Sequence, residues 1–189
     1  MSRDYEQLRN IRQAVKNYNG DEQLSSILER CFNWMCQEEE DNGCLIQSVA
    51  LYVALKTLQY HPQICYGLCK LPSGQEFYHA WLELDGRIID IAIYGNIKWS
   101  PLCYQEDITP APVVLKLYDQ SPIQYGKYQF DDDWDYASIA LVDRMSVAQY
   151  IQNAPNQCVR KRIGYILNAS RAQVESAIKN YAHVAFNHT

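Results

Sequence analysis

Glycine and proline are scarce in this sequence of 189 residues, which contains 8 Gly and 7 Pro. A fibrous chain would be richer in both, and a disordered chain would fall below the observed 48% of hydrophobic residues. Basic residues are also in deficit, with 17 Lys and Arg against 22 Asp and Glu and a formal net charge of -5. A nucleic-acid partner is therefore not expected, because binding to that polyanion usually leaves a basic footprint.

Long apolar runs are missing as well. No segment reaches the length that spans a membrane, and the N-terminal stretch MSRDYEQLRN lacks the apolar core of a signal peptide. Internal repeats, low-complexity tracts and interdomain linkers are absent too. These absences predict a cytoplasmic protein without a membrane partner, folded as a single domain over residues 1–189. They leave the oligomeric state open.

Cysteine, by contrast, is abundant, with seven in the chain. An odd number leaves at least one thiol unpaired, and in a cytoplasm the thiols are expected to be reduced. No C-x₂-C pair occurs, and Cys65, Cys69 and His61 lie too far apart along one strand to converge on a tetrahedral ion. The acidic run at 131–135 could hold a hard cation, but it lacks the spacing and glycine of a calcium loop and fits a solvated loop better. We therefore expect no metal and no other cofactor.

Apolar residues recur at helical spacing in three segments of the N-terminal half. They predict helices over residues 2–18, 22–36 and 44–58. The third segment, CLIQSVALYVALKTL, is apolar over most of its circumference, so this helix is expected to be buried. The polar run at 37–41, which is acidic from Glu38 onward, and the Asn-Gly pair at 42–43 separate it from the second helix, since glycine is a common stop signal.

The period then changes to the alternation of strands. Strands are predicted at 64–69, 77–84 and 87–93, joined by turns at 72–75 and at Asp85-Gly86, which gives a three-stranded antiparallel meander. Beyond the meander, a strand is predicted at 113–118 and a loop at 119–135. Helices are predicted at 145–153, 157–167 and 170–186. The expected fold is α+β, with the buried helix packed on a small antiparallel sheet and additional helices at both ends.

Cys44 opens the buried helix. A helix N-terminus presents unpaired N–H groups and about half a positive charge, which stabilise a thiolate and lower its pKa. The same N–H groups could donate to the oxyanion that forms when the thiolate attacks a carbonyl. The alternative is that Cys44 is a small buried hydrophobic residue, as isolated cysteines usually are.

His79 and Asp90 lie on the two strands that flank Asp85-Gly86. If those two residues form the turn, the register is fixed, with the pairs Leu84–Arg87, Trp81–Asp90 and His79–Ala92. His79 and Asp90 then become diagonal neighbours on one face, about 7–8 Å apart at the backbone. A three-residue turn would put them on opposite faces. An acid on the adjacent strand would hold the His79 ring in one tautomer and stabilise its charged form.

Three further side chains near this constellation have alternative explanations. Trp81 shares the face of His79, where it could line a substrate groove or pack in the core. Gln47, one turn into the helix from Cys44, is a candidate for polarising a substrate carbonyl. Gln37, seven residues before Cys44, stands in an acidic helix end and is expected to be a solvated surface residue.

The segments NGCLIQSVALYVAL and YHAWLELDGRIID resemble the catalytic core of the transglutaminase-like, papain-like cysteine proteins. In that superfamily a Cys opens a helix, and a His and an Asp follow on successive antiparallel strands. The His-Ala-Trp…Asp-Gly…Asp pattern is similar to that of the leader peptidases of lasso-peptide biosynthesis, the microcin-processing type. The resemblance covers about residues 42–93, and residues 96–189 form a C-terminal extension. The leader peptidases usually carry a Pro and a basic residue soon after the Cys, where this chain has Ile46 and Gln47.

The resemblance implies a role for each matched residue: Cys44 as the nucleophile, His79 as the general base and acid, and Asp90 as the residue that orients His79. It implies a cysteine peptidase that hydrolyses an amide bond of a protein or precursor peptide through a thioester acyl-enzyme. Two alternatives stay open: transglutaminase-type acyl transfer or glutamine deamidation on a protein substrate, and a catalytically inactive binding module of the same fold. The expected partner of the enzyme is a peptide or protein substrate.

Overall fold

The structure, a computed structural model, describes residues 3–39, 43–99, 109–126 and 145–188. Seven α-helices lie in these ranges: α1 (Arg3–Asn17), α2 (Glu22–Glu38), α3 (Cys44–Thr57), α4 (Ala92–Trp99), α5 (Val147–Asn153), α6 (Cys158–Leu167) and α7 (Arg171–Tyr181). The strands there are β1 (Gln63–Lys70), β2 (Glu76–Leu84), β3 (Arg87–Asp90), β4 (Val113–Lys116), β5 (Gln124–Tyr125) and β6 (Asn187–His188). The α+β class predicted from the sequence is confirmed.

A curled sheet forms one layer of the fold. Its antiparallel strands follow the order β4-β3-β2-β1-β5, and β6 pairs in parallel with β1. Asp85 and Gly86, between β2 and β3, both have positive φ, 50° and 70°, as the two-residue type I′ hairpin requires. Leu84 pairs with Arg87, so the predicted turn and register are confirmed.

Helix α3 lies between this sheet and the other helices. Residues 47–55 are all buried, because α3 contacts β2 on one side and α2, α6 and α7 on the others. Aliphatic side chains of α6 with no exposed surface complete this core: Val159, Ile163 and Ile166. The predicted burial of the helix is confirmed, and the C-terminal helices α6 and α7 cover it together with α2 and the sheet.

Strand β3 is shorter than predicted. The sequence prediction runs to residue 93, but the strand ends at Asp90 and helix α4 follows from Ala92. The Asp90 carboxylate explains the change, since its Oδ1 accepts the backbone N–H of Ile93 at 3.0 Å and caps the first turn of α4. Ala92 is therefore helical, and its predicted pairing with His79 is wrong.

The last helix also ends earlier than predicted, at Tyr181 instead of residue 186. Beyond it the chain turns back onto the start of α5. The N–H of Val147 donates to the Val184 carbonyl at 2.9 Å, and the N–H of Ala148 donates to the Ala182 carbonyl at 2.8 Å. These bonds satisfy first-turn N–H groups of α5 that have no partner within the helix.

The segment 119–135, predicted as a loop, contains strand β5 in its described part. The acidic run at 131–135, residues 40–42 between α2 and α3, and residues 100–108 between α4 and β4 lie outside the described residues. In the four described ranges, no helix is long and apolar enough to cross a membrane. Nor do three His, Cys, Asp or Glu side chains there gather closely enough to hold a metal ion.

Candidate active site

Cys44 is the first residue of α3 and directly follows Gly43. The first intrahelical bond here runs from the Gln47 N–H to the Gly43 carbonyl at 2.8 Å, so the N–H groups of the preceding helical residues have no acceptor within the helix. Glycine carries no side chain that could cap them. The positive end of the helix dipole is therefore directed at the residue that carries the thiol.

His79 lies in the middle of β2 and has no exposed surface. Its Nε2 is 2.8 Å from Oδ2 of Asp90, which is also buried, and the ring of Phe77 packs edge-on against the imidazole. The two-residue turn at 85–86 thus brings His79 and Asp90 together on one face of the sheet. This contact is the one that the sequence register predicts.

The Cys44 thiol forms a hydrogen bond with the His79 ring, and the backbone N–H of Ala80 also donates to the sulfur. Because Nε2 of His79 faces Asp90, Nδ1 is the ring nitrogen that remains for the thiol. The structure therefore brings Cys44, His79 and Asp90 together in the order thiol, imidazole, carboxylate.

The contacts among Cys44, His79 and Asp90 shift the pKa values of the thiol and of the imidazole in opposite directions. Burial by itself would raise the pKa of the Cys44 thiol, but the His79 ring and the Ala80 N–H outweigh it and lower that pKa. Burial also opposes the charged form of His79, yet the Asp90 carboxylate and the thiol raise the pKa of His79 to about 10. The two shifts together favour a thiolate–imidazolium pair near neutral pH.

Other thiols of the chain have the opposite environment. Burial raises the pKa of Cys36 and of Cys65 to about 12, with smaller contributions from nearby carboxylates. Neither thiol is ionised at neutral pH. The activation of Cys44 therefore depends on its position in the fold.

Ser48, one turn after Cys44, fixes α3 against β2. Its hydroxyl donates to the Ala80 carbonyl at 2.9 Å inside the core. Both backbone groups of Ala80 are thus bound by α3, the N–H through the Cys44 sulfur and the carbonyl through Ser48. Ser48 was not predicted from the sequence, although a hydroxyl four residues after the cysteine lies on the same face of a helix and could have pointed to it.

Replacing Ser48 by alanine is expected to loosen this connection. The Ala80 carbonyl would stay buried without its donor, which costs about 1–3 kcal/mol in the free energy of unfolding. We expect a lower urea midpoint and slower alkylation of Cys44 by iodoacetamide. Thr57→Ala is the matched control, because it removes a hydroxyl that bonds the Val53 carbonyl at the far end of the same helix. Equal Cys44 alkylation rates in the Ser48 variant and the wild type would contradict the positioning role.

Asn96 of α4 is a second residue that the sequence analysis missed. Its Nδ2 lies 3.3 Å from Nδ1 of His79, the nitrogen on the thiol side of the ring. The residue is only 8% exposed, and its Oδ1 is buried with no hydrogen-bond partner among the described residues. Because a strand was predicted through residue 93, the helix that carries Asn96 was not predicted.

The substrate-binding candidates Trp81 and Gln47 are both interior residues, 0% and 2% exposed. The Trp81 indole N–H points to the Tyr118 hydroxyl at 3.4 Å, and the Cys31 thiol donates to Oε1 of Gln47 at 3.1 Å. The position of Trp81 matches the packing alternative, and a substrate-binding role for either residue stays a prediction. Gln37 is exposed, as expected.

The model of the transglutaminase-like superfamily matches residues 2–96 of the chain, which include Cys44, His79, Asp90 and Asn96. No curated protein and no solved structure matches the chain. The matched residues end within α4, so strands β4 and β5 and helices α5 to α7 lie beyond them.

Proposed function

The chain belongs to the transglutaminase-like superfamily, and from that membership we propose that it is a cysteine peptidase that hydrolyses an amide bond of a protein or precursor peptide. One observation carries the proposal: the hydrogen bonds that lead from the partly exposed Cys44 thiol through the buried His79 ring to the buried Asp90 carboxylate. These are the nucleophile, the base and the orienting acid of thiol acyl chemistry.

In the acylation step, the Cys44 thiolate attacks the carbonyl carbon of the scissile amide. Negative charge moves to the carbonyl oxygen, where the N–H groups at the start of α3 are available as donors. The His79 imidazolium gives its proton to the amine nitrogen as the C–N bond breaks. The amine leaves, and the acyl group stays on the Cys44 sulfur as a thioester.

In the deacylation step, a water molecule attacks the thioester carbonyl. The neutral His79 ring accepts a proton from this water, and Asp90 stabilises the imidazolium that forms. The C–S bond then breaks, which releases the carboxylic acid and restores the thiolate–imidazolium pair.

Of the possible amide substrates, we propose a precursor peptide. This choice is supported by the similarity of residues 42–55 and 78–90 to the leader peptidases of lasso-peptide biosynthesis. Those residues hold Cys44, His79 and Asp90 together with the hairpin turn that brings the histidine and the acid into contact.

The first test of the proposal is the reactivity of Cys44. Iodoacetamide at about pH 6 should alkylate Cys44 roughly 10-fold faster than a small-molecule thiol, since the larger thiolate fraction outweighs the lower nucleophilicity of a low-pKa thiolate. Mass spectrometry of each cysteine-containing peptide measures the rates. Cys36 and Cys158 are matched internal controls, because they are partly exposed like Cys44. Labelling of Cys44 no faster than the small-molecule thiol would contradict an activated nucleophile.

The second test identifies the acyl acceptor. The protein is incubated with candidate precursor peptides and a labelled primary amine, and the products are analysed by mass spectrometry. New peptide termini that are absent with the Cys44→Ala variant would support hydrolysis. Stable incorporation of the amine without new termini would instead support acyl transfer and contradict the peptidase.

A further inference from the structure

The Asp90 oxygen that faces His79 receives a second donor. The Tyr125 hydroxyl donates to Oδ2 of Asp90 at 2.7 Å, and Nε2 of His79 lies 2.8 Å from the same oxygen. The other oxygen, Oδ1, accepts the Ile93 N–H at 3.0 Å. Donors from β2, α4 and β5 therefore hold the carboxylate, and β5 lies beyond the residues that the superfamily model matches.

We propose that Tyr125 is a positioning residue that sets how strongly Asp90 holds the imidazolium of His79. The inference rests on the proposed function, because it concerns the base of that reaction. A phenol that donates to a carboxylate stabilises its charge and makes the oxygen a weaker acceptor for any other donor. Tyr125 thus weakens the interaction between the Asp90 carboxylate and the His79 imidazolium.

The sheet fixes the position of Tyr125. It pairs with Cys69 of β1, and the next residue, Gly126, donates its N–H to the Leu68 carbonyl at 2.8 Å. The Tyr125 ring packs against Trp81, with ring centroids 5.0 Å apart. These contacts belong to the backbone and the ring, so they remain when only the hydroxyl is removed.

The hydroxyl of Tyr125 stays protonated over the working range of the site. Burial raises its pKa well above the ordinary value, and the charge of Asp90 raises it further. Cys69 on β1 and Tyr118 are the other titratable groups that act on it, and burial raises the pKa of each as well. The groups that change charge around Asp90 are then His79 and, through it, Cys44.

Tyr125→Phe is expected to raise the pKa of His79, because Asp90 loses a competing donor. The alkylation rate of Cys44 by iodoacetamide, followed against pH, should rise once as the thiolate–imidazolium pair forms and again as His79 loses its proton. The second rise should move up by about one pH unit in the variant. On a cleavable peptide, kcat should fall roughly 3- to 10-fold at unchanged KM, because a less acidic imidazolium protonates the leaving amine more slowly.

Tyr118→Phe is the matched control. Its hydroxyl donates to Glu83 at 2.8 Å, and its ring packs against that of Tyr125, but it makes no hydrogen bond to Asp90. Its pH profile should coincide with that of the wild type. Equal shifts in both variants would assign the effect to packing and overturn the inference.

A second variant tests the direction of the effect. 3-Fluorotyrosine at position 125 keeps the ring and is a stronger donor, so the second rise should move to lower pH. An unchanged profile in both Tyr125 variants, with Cys44 still hyperreactive in the wild type, would overturn the role of Tyr125 and leave the proposed function standing. An unreactive Cys44 in the wild type would overturn both.

Discussion

Asp90→Asn is expected to slow turnover of a cleavable peptide by about 10³- to 10⁴-fold while the chain stays folded. The neutral amide cannot stabilise the His79 imidazolium as the carboxylate does. Its NH₂ group would also favour the tautomer of His79 that presents N–H, not a lone pair, to Cys44. Steady-state kinetics measure the loss. Alkylation of Cys44 at about pH 6 should drop to the rate of an ordinary thiol, because the thiolate loses its counter-ion.

The choice of asparagine separates the two roles of Asp90. One oxygen caps helix α4 at Ile93, and the other faces His79 and Tyr125. Asparagine is as good a helix cap as aspartate, so the Asn variant keeps the first role and loses the second, the charged acceptor that faces His79 and Tyr125.

Asp90→Ala is the comparison, because it loses both roles. It removes the cap, which is worth about 0.5–2 kcal/mol, and leaves two buried donors without an acceptor, at about 1–3 kcal/mol each. Urea unfolding should therefore show a much larger decrease in the free energy of unfolding for the alanine variant than for the asparagine variant. An asparagine variant with wild-type Cys44 reactivity would mean that the charge of Asp90 does not stabilise the imidazolium.

The contact between His79 and Asp90 could be predicted from the sequence because the turn, the register and the strand alternation each follow a local rule. Asp85-Gly86 is a strong signal of a two-residue turn, and that turn fixes the register of the hairpin. The strand alternation then decides which side chains share a face. Cys44 follows from a different local signal, the end of one helix and the start of an apolar one.

The residues that support the site could not be predicted in the same way. The apolar positions from Ile88 to Tyr94 are buried whether the chain is strand or helix, so their pattern does not reveal where β3 ends and α4 begins. Asn96 was hidden by that ambiguity. Tyr125 reaches Asp90 across 35 residues of sequence through a two-residue strand, which is too short to give a periodic signal. Its role depends on the tertiary fold.

Removal of all residues after Trp99 is expected to abolish cooperative folding, although the remaining chain keeps the part that matches the superfamily. Five aliphatic side chains of the C-terminal helices have no exposed surface: Val147, Ile151, Val159, Ile163 and Ile166. Burial of each is worth about 1.5–3 kcal/mol, so their loss removes roughly 8–15 kcal/mol as an upper estimate. That is as large as the whole stability of a typical domain, about 5–15 kcal/mol.

This prediction is tested by comparing fragment 1–99 with the full chain in circular dichroism and size-exclusion chromatography. The fragment should show no sharp thermal transition, because α3 would expose the faces that α6 and α7 cover. A transition close to that of the full chain would show that the N-terminal part folds alone, and the proposal of a single domain over 1–189 would then fail.

Co-expression of fragment 100–189 with fragment 1–99 extends the same reasoning to the site. If the two parts share one core, they should associate, restore the thermal transition and return Tyr125 to Asp90 together with the fast alkylation of Cys44. Ile163→Asp in the C-terminal fragment is the matched control, since a carboxylate at this fully buried position should prevent association. Recovery of Cys44 reactivity by 1–99 alone would show that the superfamily core activates its thiol without the extension. Recovery only with the unsubstituted fragment would make the C-terminal helices part of the catalytic unit, because they hold α3, and with it the thiol, against the strand that carries His79.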